Sequence, residues 1–158
     1  MTSEISVSDE AISTSGAASV FHAAVDELIR RYGQSDDATH LSLDELRPPD
    51  GAFLVARLAG HLAGGVGLRR IGGADQHLAE VKRLWVRPDL RRSGVATVLM
   101  QAAEQRAREM GYRQLYLETG RAQPEALAFY PRVGWTRVAD FPPGVFTHEL
   151  ATRFTKVL

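Results

Sequence analysis

The run Arg91-Arg92-Ser93-Gly94-Val95-Ala96-Thr97 carries the clearest chemical signal in this 158-residue chain. A glycine just before a helix lets backbone N–H groups come close to a ligand. The first helical N–H groups have no partner inside the helix, and the macrodipole adds positive potential. Two arginines beside them suit a phosphate or pyrophosphate. The same residues also describe an ordinary strand–turn–helix with a solvated basic turn, and spacing alone does not separate the two. Glu80 is a second candidate. Strand alternation puts Glu80, Lys82, Leu84 and Val86 on one face. A carboxylate among apolar side chains has the partly buried setting in which proteins use it as a base. A Glu80–Lys82 pair at a strand edge is the plainer alternative. Tyr130, next to Phe129, reads either as a phenol acid or as a core aromatic.

These residues need elements to hold them. Val81, Leu84, Trp85 and Val86 give a strand its β-branched and aromatic content, and Pro88-Asp89 stops it. Val95, Val98, Leu99, Ala102, Ala103, Ala107 and Met110 recur at spacings of three and four, which predicts an amphipathic helix capped by Gly111. Earlier, Val20–Tyr32 reads as a helix ended by Gly33. Ser42–Leu46 reads as a short helix whose Ser42 and Glu45 form a capping box. Strands are expected over Ala52–Leu58 and Leu62–Ile71, joined by a hairpin at Ala59-Gly60-His61. Gly64, Gly65 and Gly67 inside the second strand predict a bulge or a close backbone approach. Gln114–Glu118 is a strand, Gln123–Tyr130 a helix with Pro124 near its start, and Trp135–Phe141 and Ala151–Val157 the last strands. Pro131 is expected to bias Tyr130 away from helical geometry. Residues 1–16 read as a mobile arm in which Ile5 and Val7 can form a short edge strand. Residues 17–158 read as one domain. The order β–α–α–β–β–β–α–β–α–β–β argues an α/β chain with a mixed sheet and helices on both faces.

Arg91-x-x-Gly94-x-Ala96 resembles the acyl-CoA motif of the GNAT (GCN5-related) N-acetyltransferases, Gln/Arg-x-x-Gly-x-Gly/Ala. Leu84-x-Val86-x-Pro88 before it and the apolar helix after it strengthen the likeness. So does Leu115–Trp135, which contains Ala-x-x-Phe-Tyr-x-x-x-Gly-aromatic. The resemblance covers residues 51–158 well and the first fifty poorly. It implies the GNAT fold, with two central strands that splay to admit the pantetheine arm, and acetyl-CoA as cosubstrate. The Arg91–Thr97 loop amides would hold the pyrophosphate. Backbone of Leu84, Trp85 and Val86 would supply the oxyanion donor, aimed by a β-bulge. Gln123 would bond the pantetheine or the loop. Tyr130 would protonate the departing thiolate, since a phenol's reference pKa of about 10 lies above a thiol's of about 8.5. Glu80, eleven positions before Arg91, would be the general base, as in some members; other members pass the proton through ordered water.

Composition narrows the rest. Lys plus Arg equals Asp plus Glu, 19 each. No strong field therefore draws the chain to nucleic acid or anionic lipid. The absence of cysteine excludes disulfides and a thiolate nucleophile and fits the cytoplasm. No apolar run reaches membrane-spanning length, and the polar, acidic N-terminus does not read as a signal peptide. His22, His40, His61, His77 and His148 lack ligand spacing, so no metal is expected. The expected reaction is direct attack by a small-molecule primary amine on acetyl-CoA in a ternary complex. Asp36, Asp37, Glu118 and Asp140 are acids that would favour a cationic amine, although scattered acids are usually just solvated, and Glu118 reads equally as a partner of Arg113. A protein or peptide amine as acceptor, or a non-catalytic CoA-binding module, are the alternatives; a homodimer is one assembly open to the chain.

Overall fold

The computed structural model describes residues 4–33, 41–120, 123–145, 147 and 150–158. A seven-stranded mixed sheet has the order β1-β2-β3-β4-β5-β7-β6. Its strands are β1 (Ile5–Asp9), β2 (Ala52–Leu58), β3 (His61–Ile71), β4 (Leu78–Val86), β5 (Gln114–Thr119), β6 (Thr136–Val138) and β7 (Thr152–Val157). Helices α1 (Ser15–Tyr32), α2 (Val95–Glu109) and α3 (Pro124–Arg132) and two 3₁₀ turns, Leu43–Leu46 and Pro88–Leu90, complete the described elements. All neighbouring strands are antiparallel except β4 and β5. Those two are joined through α2, the crossover a parallel pair needs.

Alternation along β2 divides the core. Phe53 and Val55 pack with Ala17, Val20 and Phe21 of α1 and with Leu46. Leu54 and Ala56 join the other cluster, with Val95, Leu99, Met100, Ala103 and Ala107 of α2 and Tyr130 of α3. Helices thus cover both faces, as the element order predicts. The Ser42–Glu45 capping box is present. Ala59 and Gly60 both take positive φ, 51° and 82°, the two-residue turn that matches strand twist.

Three expectations are corrected. The edge strand expected at Ile5 and Val7 forms, Ile5–Asp9 pairing along β2, but the chain after it is not loose: Glu10 is ion-paired with Arg57. The Arg57 guanidinium holds the Glu10 carboxyl below its ordinary value. Thr14 then caps α1, which begins at Ser15 rather than Val20, its side chain accepting from Ala17 N–H at 3.3 Å. Secondly, Pro131 does not deflect Tyr130. Helix α3 runs through it to Arg132, because the proline sits in the final turn. Val133 N–H closes that turn on the Phe129 and Tyr130 carbonyls, both at 3.2 Å. Thirdly, β6 is shorter than Trp135–Phe141. Trp135 N–H is taken by the Tyr130 carbonyl at 3.0 Å, which ties that residue to the helix end.

Candidate active site

The site begins with a break in register. Gly65 pairs with Trp85 and Gly67 with Lys82, so Arg83 and Leu84 together oppose Val66. This is a β-bulge on β4, and Arg83 takes φ +58° to make it. A non-glycine residue there costs about 1–3 kcal/mol, a strain that clusters at functional sites. On β3, Gly64 leaves room for the bulged chain: a Cβ there would lie 2.3 Å from the Trp85 carbonyl oxygen.

The bulge has a second effect. It reverses the strand's alternation after Lys82. Leu84 and Val86 therefore pack with the α2 cluster, alongside Ala79 and Val81, while Trp85 packs with the α1 cluster. The expected shared face of Glu80, Lys82, Leu84 and Val86 is overturned for this reason.

β4 and β5 pair only from Leu78–Gln114 to Glu80–Tyr116. Beyond that point a cavity of about 430 Å³ opens between them. Val81 to Trp85 form one wall and Leu117 to Gly120 the other. β4 keeps its pairing with β3 and β5 its pairing with β7, so both strands turn a backbone edge without a strand partner to the opening. α1 closes a third side with Ala24, Glu27, Leu28 and Tyr32.

Tyr130 and Gln123 reach this cavity from α3. Tyr130 is 7% exposed, and its ring meets Phe129, Trp135 and Phe154 edge-on or tilted, with centroids 5.3–6.2 Å apart. Burial pushes its phenol well above the ordinary value. The group is therefore protonated throughout the neutral range and presents an O–H donor at the cavity. Gln123 precedes α3 and donates to the Tyr32 hydroxyl at 3.3 Å, linking the helix start to α1.

Arg91–Thr97 follows the C-terminal end of β4, the end at which the cavity opens. Gly94 is the α2 N-cap with φ +91°, and Val98 N–H to Gly94 O, 3.1 Å, is the first helical bond. The N–H groups of Val95, Ala96 and Thr97 precede it and are available to an anion. The Val95 side chain itself is core, and Arg92 and Ser93 are exposed. Ser93 Oγ donates to the Leu90 carbonyl. The Arg91 guanidinium folds back: Nε donates to the Val86 carbonyl at 2.9 Å and Nη2 to Glu27 at 2.5 Å. Val86 thus lies outside the cavity wall while Leu84 and Trp85 form part of it.

Glu80 stands apart from these groups. It is fully buried, outside the cavity wall, and held by Arg69 through Nε and Nη2 at 2.9 and 2.8 Å. Lys82 Nζ lies 3.7 Å from its other oxygen. Arg69 also reaches Glu45, 3.1 Å away. Burial works against the Arg69 charge, but Glu80 and Glu45 together outweigh it and raise that guanidinium above its ordinary value. Tyr130, Gln123, Leu84 and Trp85 thus come together at the cavity, and Glu80 does not.

The acetyltransferase (GNAT) family model matches residues 18–135. The chain belongs to the GNAT acetyltransferase family. It is 32% identical over 111 residues to the uncharacterized N-acetyltransferase YjgM of Escherichia coli (strain K12), across 68% of this chain and 66% of that protein. The chain therefore spans just under two thirds of that relative's length. It is 34% identical over 124 residues to the IAA acetyltransferase of Azospirillum brasilense, across 75% of this chain and 78% of that one. Its fold matches the PaiA N-acetyltransferase of Thermoplasma acidophilum, solved in complex with coenzyme A: TM-score 0.70, 18% identity, 98% of this chain and 99% of that one.

Within this GNAT fold, Glu27, Tyr32 and Arg83 line the cavity without having been singled out from sequence. Glu27 had a readable signal, because it shares a helix face with Ala24 and Leu28, where an acid is out of place. Glu118, weighed as a partner of Arg113, instead lies 3.8 Å from Arg153. Asp140 is exposed and off the cavity wall. Asp36, Asp37, His40 and His148 fall outside the described residues. Among the described residues no group of three His, Asp or Glu side chains is placed to hold a metal, and no helix is long and apolar enough to cross a membrane.

Proposed function

We propose that the protein is an acetyl-CoA-dependent N-acetyltransferase that modifies a primary amine of a small molecule by direct attack in a ternary complex. The observation that carries this reading is the parting of β4 and β5 beside the Arg83 bulge, with the Tyr130 phenol at the same cavity. The coenzyme A held by the Thermoplasma fold relative supports the cosubstrate. The printed activity of the Azospirillum relative supports acetyl transfer. A cytoplasmic setting fits a thioester cosubstrate.

The residues fit that cosubstrate. Val95, Ala96 and Thr97 N–H groups, reached because Gly94 carries no side chain, take the pyrophosphate. The open edge of β4 from Val81 to Trp85 pairs with the pantetheine amides, and Gln123 adds a side-chain amide. Acetyl-CoA supplies an activated acetyl group as a thioester. Backbone N–H at Leu84–Trp85, re-aimed by the bulge, stabilises the oxyanion that forms as the amine adds. Tyr130 gives its proton to the thiolate as the C–S bond breaks. Glu80 is clamped by Arg69 away from the cavity, so the acceptor ammonium loses a proton to cavity water before the free amine attacks. A screen of small-molecule amines against acetyl-CoA, read by release of free thiol, tests the reading. Thiol release that no amine accelerates would overturn it.

A further inference from the structure

We propose that Glu27 is the carboxylate that binds the acceptor's ammonium group, and that Arg91 masks it until the cosubstrate's phosphates take the guanidinium. The second half rests on the reading of residues 91–97 as the pyrophosphate loop. A primary amine is protonated at neutral pH, so an acceptor enters the cavity as a cation and needs an anion on the wall. Among the described residues two carboxylates line that wall, Glu27 and Glu118. The Glu118 side chain is 5% exposed and faces Arg153 at 3.8 Å. Glu27 is the more open, at 18%, and projects from the otherwise apolar face of α1 formed with Ala24 and Leu28.

The cation on Glu27 belongs to the other substrate's site. Arg91 Nη2 lies 2.5 Å from Glu27 Oε1, across 64 residues of sequence, while Arg91 Nε holds the Val86 carbonyl at the end of β4. Arg31 is farther from Glu27, at 3.8 Å, and is itself 3.2 Å from Glu125. Arg91 is therefore the main countercharge. A dianionic pyrophosphate settling on the amides beside Arg91 is a stronger partner for its guanidinium than one carboxylate. Once Arg91 turns to it, Glu27 is left facing the cavity with a charge to satisfy. The acceptor's ammonium satisfies it, so cosubstrate binding creates the acceptor site and the order of binding follows.

Calorimetry with 1,4-diaminobutane as the probe cation tests this on wild type, Arg91→Gln, Glu27→Gln and Glu27→Asp. Saturating coenzyme A should tighten diamine binding to wild type about tenfold, the scale of one charge-assisted hydrogen bond. Arg91→Gln should bind the diamine that tightly without coenzyme A. Glu27→Gln should lose the tight mode in every state, and Glu27→Asp should keep it. Diamine binding that ignores Glu27→Gln, or that Arg91→Gln leaves weak, overturns the proposal. Tight binding by Arg91→Gln beside a wild type that takes no coenzyme A supports Glu27 and overturns the cosubstrate loop instead. Melting curves confirm that each variant is folded.

Discussion

Glu80 stands directly opposite Arg69 in the β3–β4 ladder, and two nitrogens of that guanidinium reach the same Glu80 oxygen, at 2.9 and 2.8 Å. Arg69 continues to Glu45, whose carboxylate also accepts the Ser42 N–H at 3.1 Å in the capping box. One ion-pair network thus ties the 3₁₀ turn at Leu43–Leu46 to the two central strands just below the point where β4 leaves β5.

Glu80→Ala should therefore cost stability first. Removing one partner of a buried pair leaves the other charge uncompensated, at about 3–5 kcal/mol. For a domain of this size that lowers the melting temperature by roughly 6–20 °C. Glu80→Gln should melt less severely and retain turnover within about tenfold of wild type when assayed well below its melting point. A loss of roughly 10²–10⁴-fold with unchanged melting would show that Glu80 is the base after all.

Gly94→Glu addresses the anion loop. The φ of +91° disfavours any side chain, although nothing lies within 4 Å of the Cβ that would be added. The fold should survive, while the carboxylate would repel a phosphate beside the Val95–Thr97 amides. Acetyl-CoA affinity should fall at least about tenfold at low salt, with the loss shrinking as salt screens the charge. Equal affinity in a folded variant would remove the loop from the cosubstrate site.

The bulge can be probed from the neighbouring strand. At Gly64 an added Cβ would meet backbone, the Trp85 carbonyl at 2.3 Å, so no side-chain rotation relieves it. Gly64→Ala should cost about 1–3 kcal/mol by overpacking. It should also lower turnover more than acetyl-CoA affinity, because it shifts the strand proposed to carry the oxyanion donor. Thermal melts paired with single-turnover rates separate the two effects, and a stable variant with normal rates would uncouple Gly64 from the bulge.

The sequence states some of this plainly and hides the rest for physical reasons. Hydrophobic period and turn residues place the central strand, α2 and the Gly94 turn, since each is a local choice. The three glycines of β3 announce a close approach, and Gly64 makes one. The bulge is different. It puts positive φ on Arg83, a residue type that does not advertise it, and so the faces assigned by alternation beyond Lys82 come out reversed. Glu80 then appeared to share Leu84's face, when it belongs with Arg69. Glu27 was legible only as an acid on an apolar stripe. Its partner Arg91 is distant in sequence, and no local rule pairs them.

Tyr130→Phe tests the acid at the cavity. The ring stays among Phe129, Trp135 and Phe154, so packing should hold, and acetyl-CoA affinity should be unchanged. If the phenol protonates the thiolate, turnover should fall by roughly 10²–10⁴-fold, and poor leaving thiolates should suffer most. Stability against pH gives an independent reading. Burial raises the folded phenol above its ordinary value, while in the unfolded chain it titrates near 10. The stability contributed by keeping it neutral is complete below about pH 10 and is lost as pH rises toward the folded value. Tyr130→Phe should therefore unfold less readily in alkali than wild type while matching it at pH 7. Tyr112, whose phenol burial also raises, keeps some alkaline sensitivity in the variant. Full turnover in Tyr130→Phe would mean that the thiolate departs unaided and that this tyrosine serves the core alone.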